Sequence, residues 1–400
     1  MVFFYEPDIS YDEVNAATST LLSGWVTKGQ RVREFESQIA SICHTDHAVC
    51  FDSCTAALEM SLRVLGIGPG DEVITTPFTY SATSEVIRNV GATIIFCDLK
   101  AGSFEMDYDK METLINKHTK AVIPVDYGGV PCDYDEIYRV INNKRDMFNA
   151  VELHSLQSSL GRIAVVADAA HSFGAEYKGN PVGSVADFTC FSFHAVKPVT
   201  SGGEGGAVTW RDFDGIDNDG LKRYFSLLGD HGQTEKGISR TYGREWEYDI
   251  ELFGYNHIMT DVDASVGIAQ LKRLPEIHKK REELAKLYKT WMPDCVEIAL
   301  DHFMDEQKSS MHIYPIRIPK ADERRRDSVF AKMLAQGVRC NVHFKPLPLF
   351  TAYRNAGFLI SDYPNSYSMY KNLITLPFHT KMNLHDVMTV CSALDKVVTE

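Results

Sequence analysis

The sequence lacks the features of several classes of protein. It has no apolar run approaching 18 residues, which argues against a transmembrane helix, and its N-terminus turns acidic at once, unlike a signal peptide. Positive charge is scarce, because 41 Lys and Arg stand against 54 Asp and Glu and leave a net charge of −13. We therefore expect no membrane and no nucleic-acid partner, although such a chain can still hold a local basic pocket.

Paired cysteines are missing as well. The nine cysteines are odd in number, and no two have CxxC spacing. Several lie in apolar runs, such as Cys97 in IIFCD and Cys190 in FTCFSF. They are typical of reduced, packed thiols in a cytoplasmic protein, and they predict neither a zinc site nor any other metal site.

The spacing of apolar segments predicts an α/β fold with two domains. Seven short apolar runs alternate mostly with helical patterns, which is typical of a mainly parallel sheet with helices on both faces. These predicted strands are 47–51, 72–76, 93–97, 119–125, 163–167, 188–193 and 207–210. We expect a large domain over residues 1–250, with an N-terminal helical segment, and a small α+β domain over 251–400. We also expect one or two exposed helices over 134–161, a long loop over 229–250 and a strand over 340–344.

Residues 186–208 contain a candidate site for a reactive lysine. An apolar strand pattern ends before His194 and Lys197, and four glycines follow within 201–206. Glycine permits positive φ and close passage by a bound molecule. A buried ammonium is costly, whereas a lysine converted to a Schiff base carries no fixed charge. The alternative is a surface lysine in a turn, and this stretch alone favours neither.

Another motif, at residues 51–58, joins a predicted strand to a helix through Ser53, Cys54 and Thr55. The free N–H groups at a helix N-terminus suit a phosphate. A plain N-cap by Ser53 or Thr55 is the commoner arrangement.

Two further motifs follow predicted strands. Asp168 and His171 come at the carboxyl end of the strand over 163–167, an edge where ligands bind in open α/β sheets. A carboxylate there could keep a pyridine nitrogen protonated; the alternatives are a helix N-cap for Asp168 and a core histidine for His171. Tyr80, after the strand over 72–76, could lie flat on a planar cofactor or simply pack in the core.

In this order and at these spacings, the motifs have the layout of a fold-type I pyridoxal-phosphate enzyme. From GWVTKG at 24–29 to LPFH at 376–379, the chain resembles the DegT/DnrJ/EryC1/StrS aminotransferases, which aminate keto groups on nucleotide-linked sugars. The motifs GDEVITTPFTYSAT, DAAHSFGA, FSFHAVKP, GGEGGAV and GYNHIMTD carry the resemblance.

The resemblance implies roles for individual residues. Lys197 would form the Schiff base with pyridoxal 5'-phosphate (PLP), Asp168 would pair with the pyridine nitrogen, and His171 would sit beside the ring or its phenolic oxygen. Tyr80 would stack on the ring. The residues implied to hold the phosphate are Ser53, Cys54, Thr55, Ser192 and, from the neighbouring subunit, Asn256. An obligate homodimer with shared active sites follows.

The chain departs from the family pattern at two of these motifs. Cys54 stands where the family usually has glycine, and Asp126 stands where a histidine is common and could touch the substrate.

The implied reaction is a ping-pong transamination. L-Glutamate would convert the cofactor to pyridoxamine phosphate, which would pass its amine to a keto sugar. The SFHAVK and EGG motifs resemble members that act at C4 rather than C3, so we expect a 4-keto-6-deoxy hexose on UDP or dTDP, with a 3-keto sugar as the alternative. Candidate substrate contacts are Trp25, Thr27, Lys28, His194, His231 and His343.

Three rival functions make different predictions. A pyridoxamine-phosphate sugar dehydratase would have histidine in place of Lys197. An enzyme acting on free amino acids would use an arginine for the substrate carboxylate, and no clear one is found. A non-catalytic regulatory or sensory relative would not need the set formed by Lys197, Asp168, His171 and Ser192.

Overall fold

The computed structural model describes residues 1–150, 155–234 and 248–400. Its α-helices are α1 Tyr11–Ser23, α2 Gln30–Cys43, α3 Cys54–Val64, α4 Ser81–Asn89, α5 Tyr108–Leu114, α6 Tyr134–Asn143, α7 Leu156–Leu160, α8 Asn218–Gly229, α9 Asp261–Lys272, α10 Leu274–Trp291, α11 Glu323–Ala335, α12 Thr351–Asn355, α13 Pro364–Tyr370 and α14 Leu384–Thr399. Its strands are β1 His47–Phe51, β2 Glu72–Thr75, β3 Thr93–Phe96, β4 Thr119–Ile123, β5 Ala164–Asp168, β6 Glu176–Tyr177, β7 Asn180–Pro181, β8 Phe188–Ser192, β9 Gly206–Trp210, β10 Glu297–Ile298, β11 Phe303–Met304, β12 Gln307–Lys308, β13 Tyr314–Arg317 and β14 Leu373–Leu376. Within these ranges, none of the helices is long and apolar enough to cross a membrane.

A seven-stranded sheet forms the centre of the molecule, in the order β1-β9-β8-β5-β4-β2-β3. The pairs β2–β3, β2–β4, β4–β5 and β5–β8 are parallel, whereas β9 runs antiparallel to both β1 and β8. The predicted mainly parallel sheet is therefore confirmed. This topology brings the carboxyl ends of β1, β2, β5 and β8 and the amino end of β9 to one edge.

Apolar side chains on both faces of the sheet explain why its strands are buried. Phe188 of β8 packs on one face of the sheet with Trp210, whereas Phe191 of β8 and Phe193 just after it pack on the other face with Phe35. Successive side chains of a strand point to opposite faces, so a continuous apolar run fills the core on both sides.

The stretch over 134–161 contains two helices, α6 and α7, with residues 151–154 outside the described residues. The expectation of an exposed element is wrong for α6. Ile137, Val140 and Ile141 recur at helical spacing on one face of α6 and are fully buried. This apolar face packs against the sheet, while the polar residues of α6 lie on its opposite face.

The C-terminal part has a core of its own, built on the small sheet β10-β13-β14. The predicted strand over 340–344 is wrong, since only Asn341 pairs there, in a single bridge with Thr375 of the unpredicted strand β14. Val2 packs in this C-terminal core, whereas Ile268 of α9 packs with Phe35 against the large sheet. The division at residue 250 stays a prediction, and residues 235–247 of the expected loop lie outside the described residues.

Candidate active site

Lys197 lies in the turn that follows β8, at the sheet edge where the predicted motifs meet. The turn is fixed by its own backbone, since Lys197 N donates to His194 O at 2.9 Å and Ser201 N donates to Phe193 O at 2.9 Å. The Tyr5 hydroxyl donates to Lys197 O at 3.3 Å, so the N-terminal segment also holds the turn.

Lys197 as a whole residue is half-buried, and its amine is largely removed from water. Burial lowers the pKa of Lys197 to about 8, against the opposing attraction of Asp168. An amine with that pKa is neutral in a useful fraction of molecules near neutral pH, which is what a nucleophilic lysine needs.

Asp168 is the last residue of β5 and is buried. Its Oδ2 accepts from the Thr83 hydroxyl at 2.7 Å, and its Oδ1 accepts from Ala170 N at 3.2 Å. No helix begins after Asp168, so the N-cap alternative is wrong. Burial raises the pKa of Asp168, whereas Thr83, Ala170 and Lys197 lower it. A buried carboxylate of this kind is best stabilised by a cation placed against it.

His171 is buried beside Asp168, and its protonation state follows from its contacts. Its Nδ1 accepts from Gly128 N at 3.1 Å, which assigns the proton of the neutral ring to Nε2. Burial lowers the pKa of His171 well below its usual value, and the charge of Lys197 adds to this effect. The ring stacks on Phe344 at 5.8 Å and lies 4.4 Å from His312, centroid to centroid. His171 therefore offers a neutral N–H donor.

The start of α3 forms a compact turn at the same edge. Ser53 is the N-cap, its hydroxyl oxygen accepting from Ala56 N at 3.1 Å, while the amides of Cys54 and Thr55 have no acceptor within the helix. A Cβ on Gly206 would lie 2.3 Å from Cys54 N, so the first residue of β9 passes directly under this turn. The Cys54 thiol points away and donates to Cys190 O at 3.5 Å.

The glycines after Lys197 serve the chain itself. A Cβ on Gly205 would lie 2.1 Å from the Ser201 hydroxyl oxygen, Gly202 has φ +115°, and Gly203 has open space around it. Gly205 and Gly206 make room for protein atoms of the same chain, and the interpretation of this stretch as room for a bound molecule stays a prediction.

These groups fit the cofactor that the resemblance implies. The Lys197 amine, with its lowered pKa, suits an aldehyde. The buried carboxylate of Asp168 suits a pyridinium nitrogen, and the N–H of His171 suits a phenolic oxygen. The uncapped amides at the start of α3 suit its phosphate. Ser192, which is buried, accepts from His194 N at 3.3 Å and keeps its own O–H free to donate.

The other cofactor candidates are exposed. Tyr80 precedes α4 and is 66% exposed, with its ring 6.5 Å from Phe344 at the mouth of the site. Asn256 is exposed and pairs with Asp230 in a single bridge. Phe253, close by in the chain, is 100% exposed. Within one chain, therefore, Asn256 faces outward.

Two of the substrate candidates, His343 and His194, lie near Lys197. The His343 Nδ1 lies 3.2 Å from the Thr375 hydroxyl oxygen, and burial, aided by the charge of Lys197, lowers the pKa of His343 to about 3. The His194 Nε2 lies 3.6 Å from Glu204 Oε1, and both side chains are partly exposed at the rim.

The other candidates, Trp25, Thr27, Lys28 and His231, make hydrogen bonds within this chain, and their contact with a substrate stays a prediction. The Trp25 indole donates to Lys28 O at 3.3 Å, Asp261 N donates to Thr27 O at 3.3 Å, and His231 N donates to Tyr255 O at 2.7 Å.

Asp126 does not face a substrate, so that expectation is wrong. It is 1% exposed, and its carboxylate accepts from Cys132 N at 2.9 Å, Tyr134 Oη at 3.1 Å and Ser172 Oγ at 2.7 Å. It orders the loop that follows β4 and the residue after His171.

Sequence reasoning missed the residues that support the predicted ones. Thr79 and Thr83 are 2.8 Å apart, oxygen to oxygen, and extend the hydrogen bonding of Asp168. Thr83 lies on α4, but Thr79 precedes this helix, so no helical spacing marks the pair in the sequence. Phe344 and His312 approach His171 from a distant part of the chain, and no local pattern marks them.

Comparison with known proteins gives matches over the full length of the chain. The sequence model of the DegT/DnrJ/EryC1/StrS aminotransferase family matches residues 7–395. The spore coat polysaccharide biosynthesis protein SpsC of Bacillus subtilis is 35% identical and aligns over 98% of this chain and 96% of its own. The UDP-4-amino-4,6-dideoxy-N-acetyl-beta-L-altrosamine transaminase of Campylobacter jejuni is 32% identical over 99% of this chain and 98% of its own.

Solved structures match as well. Spr1654 of Streptococcus pneumoniae, described as a sugar aminotransferase, is 41% identical over 99% of this chain and 98% of its own, with a TM-score of 0.96 for its PMP-form and 0.94 for its PLP-form.

Proposed function

Because the chain belongs to the DegT/DnrJ/EryC1/StrS aminotransferase family, we propose that it transfers an amino group from L-glutamate to the 4-keto group of a 6-deoxy hexose carried by UDP or dTDP. The observation that carries the proposal is the grouping of three side chains at one sheet edge. These are the Lys197 amine with its pKa of about 8, the buried carboxylate of Asp168 and the neutral ring of His171.

The cofactor is PLP. When bound, it supplies a carbonyl carbon that takes up the amino group and a ring that withdraws electrons from the reacting carbon. Lys197 would hold its aldehyde carbon and Asp168 its ring nitrogen. The amides of Cys54 and Thr55 and the hydroxyl of Ser192 would hold the phosphate.

The residues of the chain do the proton chemistry. Lys197, with its lowered pKa, can release a proton to become a nucleophile and afterwards act as the base that moves a proton at the reacting carbon. Asp168 would keep the ring nitrogen protonated through its negative charge, and Thr83 orients that carboxylate. His171 would donate a hydrogen bond from Nε2–H to the phenolic oxygen.

Regiochemistry at C4 is proposed from the SFHAVK and EGG motifs together with the relatives. The Campylobacter relative is named for a 4-amino UDP-sugar. His194 and Glu204 of these two motifs lie together at the open rim of the site, where they can contact the sugar. Amination at C3 is the alternative that the test below separates.

A homodimer with shared active sites, in the cytoplasm, completes the proposal. Phe253 is 100% exposed, Tyr248 51% and Ile250 49%. Exposed large apolar side chains grouped in this way are typical of a surface that binds another protein. Asn256 is exposed next to this patch. A second copy that covers the patch would receive Asn256 near its own phosphate site.

The decisive assay uses 15N-labelled L-glutamate and a panel of 4-keto and 3-keto sugars on UDP, dTDP and GDP. We expect the label at C4 of a UDP- or dTDP-sugar, identified by NMR. Label at C3 would refute the regiochemistry. Absence of any half-reaction with L-glutamate would favour the regulatory alternative.

A further inference from the structure

Asp52 places a negative charge at the entrance to the proposed phosphate site. It directly precedes the N-cap of α3, and its Oδ1 accepts from the Ser53 hydroxyl at 3.1 Å. The Ser53 oxygen also accepts from Ala56 N, so the hydroxyl donates its one proton within the protein, to Asp52. Asp52 is thus an anion already present at the positive end of the α3 dipole.

His257 holds this carboxylate on its other side. The His257 Nδ1 lies 3.0 Å from Asp52 Oδ2, and Asp52 N donates to His257 O at 3.0 Å. The neighbouring residues Phe51 and Ile258 pair in an antiparallel bridge. One side-chain contact and one backbone bridge, to which the Asp52 N–His257 O hydrogen bond belongs, therefore join the segment around His257 to the turn that begins α3.

The position of His257 connects this turn to the dimer. His257 directly follows Asn256, the exposed residue proposed to reach the phosphate of the second copy. A phosphate at the start of α3 would be a second anion beside Asp52, and like charges repel. A hydrogen bond from His257 Nδ1 to Asp52 Oδ2 stabilises the negative charge of Asp52 and so reduces this repulsion.

We propose that Asp52 and His257 form a positioning pair that sets the affinity of the α3 turn for the phosphate of the cofactor and holds Asn256 in place for the second site. The inference rests on the proposed function, because it assumes that PLP binds here. It assigns to neither residue a contact with the cofactor.

If the unpaired charge of Asp52 weakens phosphate binding, its removal should suppress the effect of losing His257. His257→Ala leaves Asp52 charged without its partner and should weaken PLP binding by about ten-fold, the size of one lost charge-assisted hydrogen bond. Adding Asp52→Asn to His257→Ala removes the repelling charge and should restore most of the affinity. His118→Ala, at an exposed histidine, is the matched control and should bind PLP as the wild type does.

The measurement is titration of the apoenzyme with PLP and, separately, with pyridoxal, which lacks the phosphate. We expect His257→Ala to weaken PLP but not pyridoxal, with an unchanged melting temperature, since a pair this exposed contributes little to stability. Equal weakening of both ligands, no recovery in the double variant or a matching loss of thermal stability would overturn the inference. If the wild type itself bound no PLP, the proposed function would fail instead.

Discussion

Gly206 offers the sharpest test of how the phosphate site is built. A methyl group there would lie 2.3 Å from Cys54 N and from Ser53 C, which are backbone atoms with no rotamer to change. Relief to an ordinary contact of about 3.5 Å requires the start of α3 to move by roughly 1 Å. Forcing an extra methyl into a packed site costs about 1–3 kcal/mol, and the displaced amides no longer converge on a phosphate.

Gly206→Ala should therefore lower the free energy of unfolding by about 1–3 kcal/mol and weaken PLP binding by about ten-fold or more. Gly203→Ala is the matched control, because nothing lies within 4 Å of its Cβ position and its φ is not positive. Urea unfolding gives the stability, and absorbance titration of the apoenzyme gives the affinity. The reasoning is refuted if Gly206→Ala behaves like Gly203→Ala in both assays.

Three further changes have defined outcomes. Thr83→Val removes a hydrogen bond that lowers the pKa of Asp168, so turnover at saturating PLP should fall by about ten-fold or more. The control is Thr75→Val, which should not slow turnover because the buried Thr75 hydroxyl donates to Ile123 O rather than to Asp168. Burial raises the pKa of Asp126 to about 6, so its ionisation costs stability as pH rises from about 4 to 6. Urea unfolding should show the wild type losing stability relative to Asp126→Asn across that window, by at most about 1.4 kcal/mol per pH unit, and parallel curves would contradict this. Phe253→Asp should shift the protein toward monomers in sedimentation, and an unchanged dimer would remove this patch from the interface.

The sequence predicts the large sheet well because its strands are buried on both faces. A short unbroken apolar run such as 163–167 is typical of a strand that is buried on both faces of a sheet. The small domain is harder, since β14 is only four residues long and buried as a result of distant pairing with β13. The residues over 340–344 have the composition of a strand, but beyond the single bridge of Asn341 they find no partner.

The sequence predicts those site residues that lie in short motifs at the ends of strands. Lys197, Asp168 and the turn of Ser53 and Thr55 each follow a strand that ends at the same edge, so topology alone brings them together. Support from distant segments, such as Phe344 against His171, depends on tertiary packing that no local spacing encodes. Asp126 shows the opposite limit, because its position in the sequence favours a substrate contact although three donors within the protein satisfy its buried carboxylate.

The central claim is that Lys197 binds the cofactor covalently. Reduction of the PLP-loaded protein with borohydride, followed by proteolysis and mass spectrometry, tests this directly. We predict a single phosphopyridoxyl adduct on Lys197, and neither adduct nor turnover in Lys197→Ala. An adduct on another lysine, or normal turnover in Lys197→Ala, would contradict the account.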